Sequence, residues 1–273
     1  MNDDSVLADV ESLSVDLVTE AAALIRSQFA TALSVTYKGD GLSQPVTELD
    51  IAIEERMRAA VRDAFPGHGV IGEELPDAIG GSGWTWVVDP VDGTRNLILG
   101  IPVVACSIGI LHDGRPVAGA VALPMSDVVV SARQGGGARW NGEPVTVSER
   151  GLDGSIAVYS HDTYCALGVR DDDPAVLGES RWFGSTAWEL TMIAGGRLDH
   201  GVFPSTAIWD VAGGLALVRE AGGTVLQGHA DGTWASFTTF GDLDKARQWS
   251  EPLVCGGRSA TQVPGHLRAG AVA

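Results

Sequence analysis

Cysteine is scarce in this 273-residue sequence, which has only Cys106, Cys165 and Cys255. An odd, widely spaced set without Cys-x-x-Cys spacing gives neither a disulfide framework nor a structural zinc site, and a reducing cytoplasm is the expected setting. Positive charge is short as well, with 18 Lys and Arg against 35 Asp and Glu and a formal net charge of −17. That balance excludes long-range attraction to nucleic acid or to an anionic membrane. The same field repels small anions, so a phosphorylated ligand would need a local attractor, of which bound divalent cations are the simplest. No apolar run approaches the ~20 residues of a membrane span, and the acidic N-terminus lacks the basic start of an export signal. Neither membrane insertion nor secretion is expected.

What the sequence does have is an even spread of hydrophobic residues, 45% of the chain. Its length exceeds one ordinary domain, and no linker-like stretch divides it. The expectation is therefore two halves, residues 1–145 and 146–273, packed into one compact unit. Val6, Val10, Leu13, Leu17, Ala21, Leu24, Ile25 and Phe29 recur every three or four residues and predict a long N-terminal helix. A second helix follows Thr47, with Ile51, Ile53, Met57, Ala60, Val61 and Phe65 on its apolar face and Pro66-Gly67 as its stop. From about residue 68, short apolar runs separated by Gly, Pro and Asp predict a partly antiparallel sheet, with strands near Val70, Trp84, Val103, Val117 and Val128. After Gly151 the pattern alternates. Strands are expected at 156–160 and 200–203, helices at 186–195 and 211–221, the latter closed by Gly222-Gly223, and final strands at 225–226 and 252–255. The scattered Trp84, Trp86, Trp182 and Trp188 read as core, and Gly135-Gly136-Gly137 as a hairpin or loop.

The segment richest in chemistry is Asp89-Pro90-Val91-Asp92-Gly93-Thr94, which follows the apolar run Trp86-Val87-Val88. Its two carboxylates can aim at one point, with Pro90 stiffening the turn and the Val91 carbonyl as a further oxygen ligand. The Gly93 and Thr94 amides can receive phosphate oxygens if they open a helix or a nest. The same residues also suit two consecutive surface turns. Glu73-Glu74 after Val70-Ile71, and Asp210 placed as an N-cap before the Val211 helix, are equally open to ordinary structural readings, a solvated turn and a cap.

Taken together, Gly72-Glu73-Glu74, Asp89-Pro90-Val91-Asp92-Gly93-Thr94 and Trp209-Asp210-Val211-Ala212-Gly213-Gly214 resemble, in order and spacing, the three signatures of the inositol monophosphatase family. The resemblance runs from the N-terminal helices to about Gly257. It implies a layered α-β-α-β-α fold, a homodimer, and a magnesium-dependent, lithium-sensitive phosphatase of a small phosphorylated alcohol, a polyol, sugar, histidinol or related phosphate. By resemblance, Glu73, Asp89 and the Val91 carbonyl hold one magnesium, Asp89, Asp92 and Asp210 a second, and a third lies near Glu73, with manganese as a possible substitute. Thr94, paired with Glu73, would orient the attacking water, and the leaving-group proton comes from Asp92 or from a metal-held water. Gly93, Thr94, Ser185 and Thr186 match phosphate- and alcohol-facing positions, while Lys38 and Asp50 match a loop and helix start that close over the third metal.

The match departs at Phe203-Pro204, where inositol-selective relatives carry a Glu that grips ring hydroxyls. An apolar ring accepts no such bonds, and unpaired buried hydroxyls cost ~1–3 kcal/mol each, so myo-inositol phosphate is not expected to be the best substrate. Leu97 replaces an aromatic residue, and the stretch from His161 to Arg181 is short. Two other readings remain: a phosphatase of 3′-phosphoadenosine 5′-phosphate type, and a regulatory binding protein on the same scaffold. Asp171-Asp172-Asp173, and His161 with Cys165, read as incidental.

Overall fold

The computed structural model describes residues 3–29, 31, 34–37, 45–159 and 177–267. The first apolar stripe forms α1 (Asp3–Gln28), which buries Val10, Leu17, Val18, Ala21 and Ile25. After the hairpin of β1 (Val35–Tyr37) and β2 (Pro45–Thr47), α2 (Glu48–Ala64) buries Leu49, Ile53, Met57 and Val61. Both helices pack on one face of a seven-stranded sheet whose strands lie in chain order: β3 (Gly69–Gly72), β4 (Trp84–Asp92), β5 (Ala105–His112), β6 (Arg115–Leu123), β7 (Val128–Arg133), β8 (Gly137–Trp140) and β9 (Glu143–Val145). Only β3 and β4 run parallel. The short helix α3 (Thr94–Leu99) follows β4, and residues 134–136 form the turn from β7 to β8, which Gly137 opens.

The second sheet has the order β11-β10-β12-β15-β13-β14. Its members are β10 (Ile156–Val158), β11 (Glu179–Arg181), β12 (His200–Phe203), β13 (Thr224–Gly228), β14 (Trp234–Ser236) and β15 (Leu253–Gly256). Helices α4 (Thr186–Ala194) and α5 (Ile208–Glu220) lie between the two sheets. Short 3-10 turns at Arg258–Thr261 and Val263–His266 cover the outer face of the second sheet. The layering is α-β-α-β-α, as the resemblance implied.

The first sheet is covered on both faces, which is why its strands read as continuous apolar runs rather than as alternation. In β4, Trp86 and Val88 join the core under α1 and α2, while Val87 joins the core around α4 and α5. Trp182 is no core residue, being 74% exposed. The expected start of the last helix is corrected too: α5 begins at Ile208, so Asp210 is its third residue and not its N-cap.

Small residues let α5 sit directly on the first sheet. A Cβ at Gly109 of β5 would lie 2.6 Å from the Ala212 Cβ, and one at Gly119 of β6 would lie 2.7 Å from the Gly213 carbonyl oxygen. This contact brings the first turn of α5, with Asp210, down onto the sheet. Gly213→Val should therefore lift α5 and cost about 1–3 kcal/mol through overpacking, read as a fall in Tm of roughly 2–10 °C. An unchanged Tm would show that the close approach is not needed.

Candidate active site

Residues three apart on a regular strand point to opposite faces, so Asp89 and Asp92 could not meet on an undistorted β4. The pairing solves this. Asp89 lies opposite Ser107 and Asp92 opposite Ala105, with a register shift between them. Three steps on β4 thus match two on β5, and the extra residue of this bulge turns both carboxylates to one side. Pro90, which donates no hydrogen bond, is tolerated at such an irregularity. The Val91 amide donates to Asp89 Oδ1 at 3.1 Å, closing the turn. Gly93 follows at φ 89°, where a Cβ would also lie 2.9 Å from the Val103 carbonyl, so the exit into α3 requires glycine.

The other acids arrive from separate elements. Gly72 pairs with Val88 in the parallel β3–β4 ladder, which sets Glu73, just past the end of β3, beside Asp89 within β4. The loop behind Glu73 is held by the buried Glu54, which accepts the amides of Glu74 at 2.8 Å and Leu75 at 3.1 Å. Arg247 donates to the carbonyls of Gly72 at 2.7 Å and Leu75 at 2.6 Å. Asp210 reaches back to the Ala207 amide at 3.0 Å. Asp92 accepts from Ser185 Oγ at 2.8 Å and from the Ala187 amide, which ties the first half of the chain to the N-terminus of α4. Asn96 Nδ2 adds a second tie, donating to the carbonyls of Val103 at 2.8 Å and Phe183 at 2.9 Å.

Thr94 has a carboxylate partner that the sequence reading had not paired with it. Its hydroxyl lies 3.1 Å from Asp50 Oδ1 and 2.8 Å from the Val91 carbonyl. Asp50 is fully buried at the start of α2, where it also accepts from the hydroxyl and amide of Thr47. Lys38 lies outside the described residues. Glu54 and Arg247 were not anticipated. The i, i+4 spacing of Asp50 and Glu54 beside the apolar Ile53 and Met57 was a signal for the first, whereas nothing local marks Arg247.

Burial raises Asp89 well above the usual carboxylate range, and the charges of Glu73, Asp92, Asp210 and Asp50 push it further. Burial also lifts Asp92 to about 7, against the bonds from Ser185 and Ala187 and aided by Glu189 and Glu73. Asp210 rises to about 8 through burial and then Asp92. Burial and neighbouring acids, rather than cations, dominate at all three. Among the described residues, no three Asp, Glu, His or Cys are gathered as tightly as a bound ion would hold them. Hydroxyl and backbone amide donors hold Asp89, Asp92 and Asp210.

Beside Ser185, a cavity of about 190 Å³ opens between α4 and β12. Thr186, Glu189 and Phe203 line it, so two of the expected substrate-facing residues meet there.

The sequence model of the inositol monophosphatase family matches residues 6–249. A probable inositol 1-monophosphatase of Mycobacterium tuberculosis is 35% identical over 233 residues, 79% of this chain and 85% of that protein. A fructose-1,6-bisphosphatase/inositol-1-monophosphatase of Aquifex aeolicus is 31% identical over 207 residues, 73% of this chain and 78% of that protein. The crystal structure of extragenic suppressor protein suhB from Bartonella henselae is similar with a TM-score of 0.79 at 27% identity, covering 94% of this chain and 98% of that one. The chain belongs to the inositol monophosphatase family and is a phosphoric monoester hydrolase of a phosphorylated small molecule.

Proposed function

We propose that this hydrolase cleaves the phosphate monoester of a small alcohol with two to three magnesium ions, or manganese in their place, held by Glu73, Asp89, the Val91 carbonyl, Asp92 and Asp210. One observation carries the reading. Burial and the charges of neighbouring acids raise Asp89, Asp92 and Asp210, which come together from β4 and α5, and Glu73 adds to the effect on each. The donors are all oxygens, which suits hard dications better than zinc, and the residues present fit such ions. When bound, the ions supply positive charge to the phosphate oxygens and acidity to the attacking water. Phosphate monoesters are slow enough to hydrolyse that the site must lower the barrier by on the order of 20 kcal/mol.

The chain's own groups do the positioning. The Thr94 hydroxyl has one proton for two acceptors, Asp50 and the Val91 carbonyl, and keeps lone pairs for a proton of the attacking water. Asp50 stands behind it as an acceptor, and Glu73 flanks the water from the end of β3. The Gly93 and Thr94 amides, at the start of α3, meet phosphate oxygens. Asp92, held at the start of α4 by Ser185 and Ala187, is the chain's own candidate for passing a proton to the leaving oxygen. The adjacent cavity, about 190 Å³, lies below the ~300 Å³ usual for drug-sized ligands. It favours a small alcohol over a purine nucleoside. Phe203, 5% exposed, offers no acceptor to a polyhydroxylated ring. The full set of acids argues against a purely regulatory protein. Lithium inhibition and a homodimer complete the proposal.

Asp92→Asn and Asp210→Asn should each lower kcat by at least about 10²-fold. Without metal, their Tm should be unchanged or higher, because each removes a repelling charge. Wild-type kcat in either variant would remove that residue from the mechanism.

Ligation needs ionised carboxylates, and burial holds Asp92 at about 7 and Asp210 at about 8 in the metal-free protein. Magnesium affinity should therefore rise with pH through that window, and binding near neutral pH should release protons. Calorimetry in two buffers of different ionisation enthalpy reads this, and an absence of proton release would contradict the assigned ligands.

A further inference from the structure

Glu73 stands just past the end of β3, so the ladder that fixes the strand does not by itself fix this side chain. The peptide plane joining Gly72 to Glu73 sets the direction in which the chain leaves the strand, and its carbonyl is held from the other half of the molecule. Arg247 Nη2 donates to it at 2.7 Å and to the Leu75 carbonyl at 2.6 Å. Asp77, in the same loop, accepts from Arg247 Nε at 3.0 Å and stands 2.9 Å from Nη2. The guanidinium also lies 5.4 Å from the centre of the Trp209 ring, within reach of a cation–π attraction. Trp209 immediately precedes Asp210 in the first turn of α5. One planar group thus meets both the loop that carries Glu73 and the turn that carries Asp210.

Arg247 is itself firmly placed. It belongs to the 3-10 turn Leu243–Gln248, in which Ala246 is buried. Asp242 caps the start of that turn by accepting the Asp244 amide at 3.1 Å, and Trp249 after it packs edge-on against Phe237 and Phe240. On the other side of the Glu73 loop, Glu54 accepts the amides of Glu74 and Leu75, and Arg58 donates to the Leu75 carbonyl at 3.1 Å. Those bonds lie within the first half of the chain. They hold the shape of the loop but give it no reference to α5.

We propose that Arg247 is a positioning residue, which fixes Glu73 relative to Asp210 across the seam between the two halves so that both can serve cations that also share Asp89. The proposal rests on the metal-ligand reading above. Ligand distances around a bound ion tolerate only about 0.2 Å, and the seam is where two independently packed cores could shift against each other. Lysine does not replace arginine in this task, since a point charge on a flexible stem cannot bond two carbonyls and a carboxylate while lying over an indole.

The test is calorimetric titration of the metal-free protein with magnesium, beside Tm in EDTA. Arg247→Lys should weaken magnesium binding by about tenfold or more, while the metal-free Tm falls by only a few degrees because Glu54 and Arg58 still hold the loop. Activity on p-nitrophenyl phosphate lost at low magnesium should largely return as magnesium is raised. Asp77→Asn at one arm and Trp209→Leu at the other should each weaken binding, and each should add little in an Arg247→Lys background. Wild-type affinity in Arg247→Lys would overturn the proposal, and so would a lowered Tm with unchanged affinity. Full additivity of either arm with Arg247→Lys would overturn it too, since the two arms would then act separately. If Arg247→Lys does not fold, the Asp77→Asn and Trp209→Leu pair gives the same reading, with additive losses counting against the link. A wild-type protein that binds no magnesium would overturn the metal reading itself.

Discussion

Repulsion among buried carboxylates sets the terms for the rest of this structure. Two unit charges about 4 Å apart repel by ~4 kcal/mol at an effective dielectric near 20, and Asp89 feels four neighbouring acids. Such a cluster exists only because larger forces hold the elements that carry it. The core beneath α1 and α2 fixes β4, and the core between the sheets fixes α4 and α5. The glycine contacts at 109, 119 and 213 leave α5 no room to retreat. The apolar layers and the acidic site are therefore two sides of one arrangement, in which stability from packing offsets a local electrostatic cost.

A contrast between buried acids shows where that cost is deliberately left unrelieved. Away from the site each has an arginine: Glu54 with Arg58, Glu11 with Arg133, Asp199 with Arg150. Within the site the partners are neutral. Asp92 has Ser185 and Ala187, Asp210 has Ala207, Asp50 has Thr47 and Thr94, and Glu189 has Phe183 and Gly184. Hydroxyls and amides orient a carboxylate without cancelling its charge. An arginine at any of these positions would cancel the charge and occupy the place of a cationic ligand.

The same contrast explains what was legible in the sequence. Asp89 through Thr94 form one continuous segment, and the α1 and α2 stripes follow local periodicity, so both could be read directly. Asp210 was found by resemblance but misplaced within its turn, because Ala207 gives no capping signal to mark where α5 begins. Pairings that cross the chain left no local trace. Glu73 reaches Asp89 only through the parallel β3–β4 register, Thr94 reaches Asp50 across 44 positions, and Arg247 reaches Gly72 across 175. The bulge between Asp89 and Asp92 was hidden for another reason, since it is a property of how β4 pairs with β5 rather than of β4 itself.

Helix α4 is where the demands of the reaction and of substrate choice meet. Its first turn carries the hydroxyl and the amide that hold Asp92, and Thr186 and Glu189 on the same helix face the alcohol cavity. The turn before it is pinned twice, by Glu189 from within the helix and by Asn96 from α3. A small displacement of α4 therefore moves the Asp92 carboxylate and the cavity wall together. Misplacement of about 1 Å is enough to cost a reaction ~10²-fold, so the cavity cannot be remodelled through the helix backbone without disturbing Asp92. Specificity can diverge at side chains facing the cavity from β12 and beyond, such as Phe203 and Thr206, which make neither of the hydrogen bonds that hold Asp92.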